Sequence, residues 1–385
     1  MSNLKQRKIT VTTGTRADYG ILRPVLSEIQ KNPSLKLFLI VTGMHLSEKH
    51  GKTINEIKDD GFIISNSFNM IPKKDSKFEN VKQFGNSIIS YSKIFHKIKP
   101  DINLVFGDRD EMLASTIAAY HLNIVNAHIH GGDRSQGGID EYNRHAITKM
   151  SNIHFAASQK SKKRIIKMGE NPKYVHFTGS PSIDELISKR ITNKNELSKK
   201  YNFSCSRKNI ILLQHPVTTQ IEDSQQQIQI TLRAIKKLKT NTIAIGPNSD
   251  PGSSSIFKEL QKTSKSFDFI NFYNNVPRND FLGFLKYGDV LLGNSSSGMI
   301  EASHFGIPVV NIGIRQKGRE RGNNVVDVEH SSDKIYQTTK PCLETSHNYR
   351  KSGKVFGNGT ASQKIVKYLI TTRLTNDILK KQIEY

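Results

Sequence analysis

The stretch INLVFGDRDEMLASTIAAY, residues 102–120, contains the pattern that decides the fold. It begins with a mainly apolar run typical of a buried strand, and from Glu111 onward it has helical character. The polar sequence GDRD stands between the two. A buried strand followed at once by a helix is the repeating unit of parallel α/β proteins.

The same rhythm recurs along the chain, where apolar runs alternate with helical patterns such as ILRPVLSEIQ (21–30). The predicted strands are KITVTTG (8–14), LKLFLIVTG (35–43), INLVFGD (102–108), IVNAHIHGG (124–132), NIHFAAS (152–158), YVHFTGSP (174–181), NIILLQHP (209–216), NTIAIGPN (241–248), FDFINFYN (267–274), DVLLGNSSSG (289–298) and PVVNIG (308–313). This order predicts two doubly wound, Rossmann-like α/β domains that face each other across a cleft.

The domain boundaries are expected near a polar stretch at 186–206, which we interpret as a linker. We expect an N-terminal domain over 1–186 and a C-terminal domain over 187–358. A helical tail over 359–385 is expected to pack back on the N-terminal domain.

Composition excludes several classes of protein. The chain has 385 residues, 36% of them apolar, and a mean hydropathy of −0.49. It has no apolar run approaching the roughly 18 residues that span a membrane. Its start is basic and then strand-like, without the pattern of a signal peptide. Cys205 and Cys342 stand far apart, which is typical of a reducing compartment. We therefore expect a cytoplasmic protein with no membrane partner.

The formal net charge of +23 raises the alternative of a basic nucleic-acid-binding protein. The lysines and arginines are spread along the chain, and they are not interleaved with aromatic residues that would stack on bases. A small polyanionic substrate such as a nucleotide sugar is favoured, with no nucleic-acid partner.

Polar motifs follow the predicted strands at the edge where ligands bind in such sheets. In TTGTRADYG (12–20), Gly14 permits a tight turn and Arg16 stands where a helix begins, an arrangement suited to a phosphate. The alternative is an ordinary turn with a surface arginine. Because the motif is not G-x-G-x-x-G, hydride transfer is disfavoured. Asp108 and Arg109 stand at the carboxyl end of the predicted strand INLVFGD. The alternative for this motif is that Asp108 caps the following helix.

A third motif is IHGGDRSQGGIDEYNRH, residues 129–145. His128 and His130 are two apart and are predicted to share one face of a strand. Asp140 and Arg144 are four apart, so they are predicted to be neighbours on a helix. The alternatives are a capped helix with a surface ion pair and, less favoured, a zinc site. We expect no metal.

The strongest local motif of the second half is LLGNSSSGMIEA (291–302). It is predicted to bring Asn294, three serines and Gly298 to the start of a helix, where N–H groups and hydroxyls bind a diphosphate. Glu301, in the first turn of that helix, is a candidate for a ribose contact or a favourable helix-dipole charge. Other polar residues at strand ends are His215, Asn248, Asp250, Arg315 and Arg319.

Taken together, these motifs resemble those of the UDP-N-acetylglucosamine 2-epimerase family, and most of all its hydrolysing branch. The resemblance covers about residues 9–330 and is carried by TGTRADYG, VTGMHLS, GDR, HIHGGD, RHAITK, GSPSID, LQHPVTT, PNSDPG, GNSSSG and RQKGRERG.

The resemblance implies a fold like that of the GT-B glycosyltransferases, with the active site between two Rossmann-like domains. It implies that the N-terminal domain (1–186) carries the acid–base residues and that the C-terminal domain (187–358) binds UDP. It implies hydrolysis of UDP-N-acetylglucosamine to N-acetylmannosamine and UDP, through elimination to 2-acetamidoglucal and hydration. No nicotinamide or other cofactor is needed, and relatives form dimers or tetramers, so we expect a homo-oligomer. The product would feed nonulosonic (sialic-type) acid or surface-polysaccharide synthesis.

The resemblance also assigns residues. The catalytic set is Asp108, His130, Asp140, Arg144 and His215, in which the two aspartates exchange protons, Arg144 orients Asp140, and His215 also contacts the leaving diphosphate. The UDP-binding set is Arg16, Gly20, Arg109, Asn248, Val276, Ser295, Ser296, Gly298, Glu301, Arg315 and Arg319.

Two departures from the family pattern leave alternatives open. His130 stands where the family carries a catalytic glutamate, and Gly20-Ile21 stands where relatives often have Ser-Lys. The open alternatives are a 2-epimerase for a related nucleotide sugar such as a UDP-diacetamido-trideoxyhexose, a non-hydrolysing UDP-N-acetylglucosamine 2-epimerase, and a glycosyltransferase of the same fold.

Overall fold

The computed structural model describes residues 6–48, 52–72, 76–134, 139–188, 191–217, 219–247, 252–346 and 355–384. The chain divides into two units. Unit 1 comprises Met1–Asp133, Ile139–Glu185 and Phe356–Tyr385, and unit 2 comprises Arg134–Gly138 and Leu186–Val355. The boundaries expected at 186/187 and 358/359 stay a prediction.

Unit 1 is built on a parallel sheet of seven strands in the order β3-β2-β1-β4-β5-β6-β7. The strands are β1 (Arg7–Thr13), β2 (Leu35–Val41), β3 (Ile64–Ser67), β4 (Ile102–Phe106), β5 (Val125–Ile129), β6 (Ile153–Ala156) and β7 (Val175–Phe177). Its helices are α1 (Arg16–Lys31), α2 (Ile54–Asp59), α3 (Lys77–Ile98), α4 (Asp110–His121), α5 (Ile139–Met150), α6 (Gln159–Lys167), α7 (Pro181–Ser188), α14 (Ala361–Thr371) and α15 (Asn376–Leu379).

The first helix shows why this sequence folds locally as it does. Thr15 caps α1, and its hydroxyl accepts from the N–H of Asp18 while the Asp18 carboxylate accepts from the N–H of Thr15. Such a reciprocal cap satisfies two N–H groups at a helix start that otherwise lack partners. Beyond the cap, Leu22, Leu26 and Ile29 recur at helical spacing and are fully buried against the sheet.

The C-terminal helix α14 belongs to unit 1. Ile365 and Leu369 are fully buried in the same core cluster as α1. In addition, Arg7 at the start of β1 donates to the main-chain oxygens of Leu369, Ile370 and Thr372. The last segment of the chain therefore completes the core that the first segment begins.

Unit 2 has a parallel sheet of six strands in the order β10-β9-β8-β11-β12-β13. The strands are β8 (Asn209–Leu213), β9 (Asn241–Ile245), β10 (Ile270–Tyr273), β11 (Val290–Gly293), β12 (Val309–Ile312) and β13 (Val325–Val328). The helices are α8 (Lys194–Lys200), α9 (Ser224–Leu238), α10 (Ser253–Ser266), α11 (Arg278–Tyr287), α12 (Glu301–Phe305) and α13 (Ser332–Glu344).

The predicted fold class is confirmed, because each unit is a parallel α/β sheet with the strand order of a doubly wound fold. All eleven predicted strands are present, in most cases shorter at the carboxyl end than predicted. β3 and β13 were not predicted, and the stretch interpreted as a linker contains α8. In the described part of the chain, no helix is both long and apolar enough to cross a membrane.

Candidate active site

The polar motifs of unit 1 flank the point where its strand order reverses. Successive strands are added outward from β1 on one side, and from β4 on the other. The carboxyl ends of two such strands form the usual ligand crevice of an open α/β sheet. The loops that leave these strands contain Gly14 and Asp108, as the sequence predicted.

Arg144 is the most constrained charged side chain at this edge. It lies on α5 and is only 3% exposed. Its guanidinium donates to the carboxylate of Asp108, to Glu141 at 2.6 Å and to the main-chain oxygen of Asp133 at 3.3 Å. Asp108 therefore faces α5, and the alternative that it caps α4 is wrong, because Arg109 occupies the cap position.

Asp140 lies in the first turn of α5, where it is exposed. It lines a cavity of unit 1 together with Arg109 and Asp110. The structure thus brings Asp108, Asp140 and Arg144 to the start of one helix and the loop beside it. The expected pairing of Asp140 with Arg144, and the acid–base roles of the two aspartates, stay predictions.

His130 lies beyond the end of β5, so the expectation that His128 and His130 share a strand face is wrong. The strand ends at Ile129, and His130 has a left-handed backbone conformation with φ of 65°. Its ring lies 2.8 Å from Asp133 through Nδ1 and 2.9 Å from the hydroxyl of Ser180 through Nε2. Since both ring nitrogens have protein partners, proton exchange with a substrate would require one of these bonds to open.

His128 is a structural residue of the core. Its Nε2 donates to the main-chain oxygen of Gly107 at 2.8 Å, and its Nδ1 lies 3.1 Å from the hydroxyl of Thr148. Burial lowers the pKa of His128 to about 3, so the ring stays neutral and carries no charge to the site.

Sequence reasoning missed a buried acidic residue, Glu111. Its carboxylate, 5% exposed, binds Arg109 through two bonds of 3.1 Å. Burial lowers the pKa of Arg109, but the charge of Glu111 raises it above the ordinary value overall. Arg109, which was predicted to bind UDP, is therefore held in place by a forked ion pair.

Two glycines make room for that ion pair. A Cβ atom on Gly14 would lie 2.7 Å from Oε1 of Glu111, and one on Gly43 would lie 2.6 Å from the same atom. Real Cβ atoms do not approach so closely, so Glu111 occupies space that only glycine leaves free. Gly14 was predicted as a turn residue, and the structure shows that it also leaves space for the side chain of Glu111.

Asp18 is a second buried acid that sequence reasoning missed. It accepts from the hydroxyl and the N–H of Thr15, both at 2.9 Å, and from the hydroxyl of Thr13. Burial raises the pKa of Asp18 to about 6, with a further contribution from the charge of Glu111. The spacing of Thr15 and Asp18, a helix capping box, is the signal that would have found it.

Arg16 and Gly20 differ from the rest of the predicted set. Arg16 is the first residue of α1, and its Nε lies 3.1 Å from Glu56 in an ion pair whose members are both about half exposed. Such exposed pairs are weak, so Arg16 is available to an anion. Gly20 lies inside α1, where an added Cβ would meet only the carboxylate of Glu185, at 3.7 Å.

In unit 2, His215 follows β8 and the serine-rich turn follows β11, at the point where the strand order of that sheet reverses. Asn294 is fully buried and joins the two loops, because its side chain accepts from the N–H of His215 at 2.7 Å and donates to the His215 carbonyl at 2.9 Å. The main-chain oxygen of Asn294 accepts from Arg315 at 3.2 Å and from Gln316 at 3.0 Å. Arg319 in turn donates to Gln316 at 3.2 Å.

The serine-rich turn leads into a short helix. The serines were predicted to stand at the start of a helix with Glu301 in its first turn, and α12 does begin at Glu301. Between the strand and that helix, Ser296–Gly298 form a single 3₁₀ turn, and α12 has five residues. The hydroxyls of Ser295 and Ser297 lie 2.8 Å apart. A turn of this kind presents hydroxyl groups without the full dipole of a long helix.

Val276 lies just before α11, and Glu301 is the first residue of α12. Glu301 is 8% exposed and forms an ion pair with Arg278, a residue that was not predicted. Val276 is half-buried two residues before α11. Asn248 and Asp250 lie outside the described residues. Among the described residues, no three His, Cys, Asp or Glu side chains are grouped so as to hold a metal ion.

The pKa of Asp18 predicts a pH dependence of stability. The folded pKa of Asp18, about 6, exceeds the ordinary value of 3.8, so the folded state binds a proton more tightly than the unfolded state. The stabilisation that protonated Asp18 contributes below pH 4 is lost as the pH rises through 6. Between pH 4 and pH 7, the free energy of unfolding should fall by about 2 to 3 kcal/mol relative to Asp18→Asn. Urea unfolding of both proteins measures this. Asp59→Asn, at an exposed site, is the control, and a pH-independent difference would show that Asp18 is not buried as described.

The packing of Glu111 predicts that Gly14→Ala destabilises the protein. The added methyl group must displace the Glu111–Arg109 pair, at a cost of about 1 to 3 kcal/mol. Gly20→Ala is the matched control, because a helix-interior glycine with free space gains up to about 1 kcal/mol from alanine. Thermal unfolding of the two variants should shift in opposite directions, and equal midpoints would contradict the packing.

Comparisons with known proteins identify the family. A family model described as UDP-N-acetylglucosamine 2-epimerase matches residues 27–370. The chain is 37% identical to a hydrolysing UDP-N,N'-diacetylbacillosamine 2-epimerase of Legionella pneumophila, over 97% of this chain and 98% of that protein. It is 34% identical to a UDP-N-acetylglucosamine 2-epimerase of Neisseria meningitidis, over 86% of each.

The fold agrees with a solved structure. A crystal structure of UDP-GlcNAc 2-epimerase from Neisseria meningitidis bound to UDP-GlcNAc matches with a TM-score of 0.81 at 21% identity, over 95% of this chain and 100% of that chain. The resemblance inferred from the motifs is confirmed: the chain belongs to the UDP-N-acetylglucosamine 2-epimerase family and is an epimerase.

Proposed function

We propose that this protein is a hydrolysing 2-epimerase of a UDP-linked 2-acetamido sugar. With UDP-N-acetylglucosamine, the reaction consumes water and yields N-acetylmannosamine and UDP. A base removes the proton from C2, and the C1–O bond to UDP breaks to give 2-acetamidoglucal. Water then adds at C1, and a proton returns to C2 on the opposite face of the ring.

The proposal assigns proton transfer to Asp108 and Asp140. The observation that carries it is the ion pair between buried Arg144 and Asp108. A guanidinium beside a carboxylate favours the ionised form, which is the form that accepts a proton. Asp140 lies one turn before Arg144 and is exposed, so it is accessible to a substrate at the same edge.

The proposal assigns UDP binding to unit 2. Arg315 and the loop with His215 are held by the same buried side chain and carbonyl of Asn294. Guanidinium groups and serine hydroxyls are common ligands of a diphosphate. Preorganised positive charge at the leaving group stabilises the charge that develops when the C1–O bond breaks.

One observation favours a second substrate. The Legionella relative named for UDP-N,N'-diacetylbacillosamine shares 37% identity over 97% of this chain. The same chemistry at C1 and C2 applies to that sugar, because only the substituents at C4 and C6 differ. In either case, we place the product in nonulosonic-acid or surface-polysaccharide synthesis.

Proton and phosphorus NMR in deuterated water tests the proposal with UDP-N-acetylglucosamine or UDP-N,N'-diacetylbacillosamine. The expected result is free UDP together with deuterium at C2 of a free, 2-epimeric sugar. UDP release without deuterium at C2 would indicate simple hydrolysis. Deuterium at C2 of an intact UDP-sugar would indicate a non-hydrolysing epimerase.

The acid–base assignment predicts that Asp108→Asn and Asp140→Asn each reduce turnover by about 100-fold or more, the usual contribution of a general acid or base. UDP binding, measured by calorimetry, should remain. Asp59→Asn, at an exposed position of α2, is the control with the same chemical change. Undiminished turnover in both variants would refute the assignment.

A further inference from the structure

Asp133, His130 and Ser180 form a hydrogen-bonded chain of side chains in unit 1, and the proposed function assigns no step to it. Nδ1 of His130 lies 2.8 Å from Oδ2 of Asp133, and Nε2 lies 2.9 Å from the hydroxyl of Ser180. The chain continues to Ser182, whose hydroxyl lies 2.7 Å from that of Ser180. His130 is 6% exposed and Ser180 is fully buried. The protonation of the ring is therefore governed by these partners more than by water.

The carboxylate of Asp133 is held towards the ring by contacts from two helices. The hydroxyl of Ser161, on α6, donates to Oδ1 of Asp133 at 2.7 Å. Arg144, on α5, donates to the main-chain oxygen of Asp133 at 3.3 Å. With Oδ1 and the main chain fixed in this way, Oδ2 faces His130, and the carboxylate is preorganised as a partner for the imidazole.

These partners fix which nitrogen of His130 exchanges a proton. An ionised carboxylate can only accept a hydrogen bond, so Nδ1 carries a hydrogen in the neutral and in the charged ring. Nε2 is then the nitrogen that gains and loses a proton. The hydroxyl of Ser180 suits both states, because it can donate to a neutral Nε2 or accept from an Nε2–H group. The bond between Ser180 and Ser182 can reverse with it, since either hydroxyl can be the donor.

His128 shows what the carboxylate contributes. The hydrogen-bond partners of its ring are uncharged, a main-chain carbonyl and the hydroxyl of Thr148. Burial lowers the pKa of His128 to about 3, so that ring stays neutral. His130 is nearly as buried, but its ring contacts a carboxylate, which favours the imidazolium form. Of these two histidines, His130 is the one equipped to carry a proton.

The other elements around His130 contribute one aromatic ring and two positive charges. Phe106, from β4, meets the imidazole at a ring-centroid distance of 5.1 Å in an edge-to-face arrangement. Arg164 on α6 and Arg144 on α5 donate to the main-chain oxygens of two consecutive residues of the loop, the second of which is Asp133. Because both guanidinium groups contact the main chain while Asp133 contacts the ring itself, the carboxylate has the strongest influence on the charge of the imidazole.

This hydrogen-bonded chain is joined to the candidate base, Asp108. The guanidinium of Arg144 donates both to the main-chain oxygen of Asp133 and to the carboxylate of Asp108. The loop after β5 and the loop after β4 therefore meet at one buried side chain. An acid on the first loop and a base on the second can serve one substrate.

We infer that Asp133 is a positioning residue of the epimerase reaction, which makes His130 the acid that returns a proton to C2 through Nε2. The inference rests on the proposed function and adds a residue to its machinery. The bond between Nε2 and Ser180 opens for the transfer, because the bond at Nδ1 joins opposite charges and is the stronger of the two.

The step balances as follows from the bonds that form and break. Asp108, which Arg144 keeps ionised, takes the proton from C2, and UDP leaves with the electron pair of the C1–O bond. In the hydration step, the Nε2–H bond of His130 breaks and a new C2–H bond forms. The oxygen of water bonds to C1, and the proton that this water loses passes to Asp140. Of the two protons then held by carboxylates, one returns to His130 and the other is released with UDP.

The test is the pH dependence of kcat/KM for the full-length protein between about pH 5 and pH 9, a range that includes the ordinary titration of histidine. The substrate is UDP-N-acetylglucosamine or UDP-N,N'-diacetylbacillosamine, whichever is turned over faster. We expect kcat/KM to decline at high pH, where His130 loses its proton. Asp133→Asn removes the charge but keeps an acceptor of the same size, so the decline should move to lower pH by about one unit or more. At the high end of the range this variant should be about tenfold or more slower.

Three variants serve as controls. Asp133→Glu keeps the charge and should leave the decline near its original pH. Ser180→Ala removes the other hydrogen bond of the ring without removing a charge, and it should move the decline by less than about half a pH unit. Asp59→Asn, at an exposed position of α2, has the same chemical change as Asp133→Asn and should leave the profile unaltered.

His130→Gln keeps the test valid if Asp133→Asn fails to fold. It should lose the decline and reduce kcat by about 100-fold or more, the usual contribution of a general acid. Thermal unfolding shows whether each variant is folded.

The outcomes separate the inference from the proposed function. Turnover of neither sugar by the unaltered protein would overturn the proposed function, and the inference with it. Turnover with a decline at the same pH in folded Asp133→Asn would overturn the inference alone. So would an equal shift in Ser180→Ala, or an unreduced kcat in His130→Gln.

Discussion

The buried guanidinium of Arg144 is the group on which the arrangement of unit 1 depends. A charge withdrawn from water costs several kcal/mol unless it is paired. Its partners come from three places: Asp108 after β4, the Asp133 carbonyl after β5, and Glu141 on α5 itself. Moving any of these segments would remove one of the partners of this buried charge. The other end of α5 is held as well, because Lys381 donates to the carbonyl oxygens of Lys149 and Ser151.

Much of the fold could be predicted from the sequence, because buried parallel strands consist of apolar runs. NIILL in β8 and INLVF in β4 have that form. The two strands that were missed, ISNS in β3 and VVDV in β13, lie at sheet edges and are half exposed, so their sequences need not be apolar. The strand predicted over IVNAHIHGG (124–132) ends earlier, at Ile129. Nothing in the local sequence distinguishes the left-handed backbone at His130 from a continuing strand.

The positions of candidate site residues were predictable where a polar residue follows closely after a strand. Asp108, His215 and Asn294 are of this kind. The residues that were missed contact the predicted ones across long stretches of chain. Ser180 forms a hydrogen bond with His130, and Arg278 forms an ion pair with Glu301. Glu111 was missed because its burial depends on two glycines distant in sequence, Gly14 and Gly43, that leave space for its side chain. No periodicity in the sequence reports such a fit.

The return of the chain to unit 1 affects the order of events during synthesis. Domains usually fold one after another from the N-terminus as they leave the ribosome. Here the core of the N-terminal sheet is completed only by Ile365 and Leu369, which are translated after all the strands of unit 2. Residues 186–355, by contrast, are contiguous and complete earlier. The second unit to be encoded is therefore the first that can finish folding, and the nascent first half exposes apolar surface to chaperones until α14 has been translated.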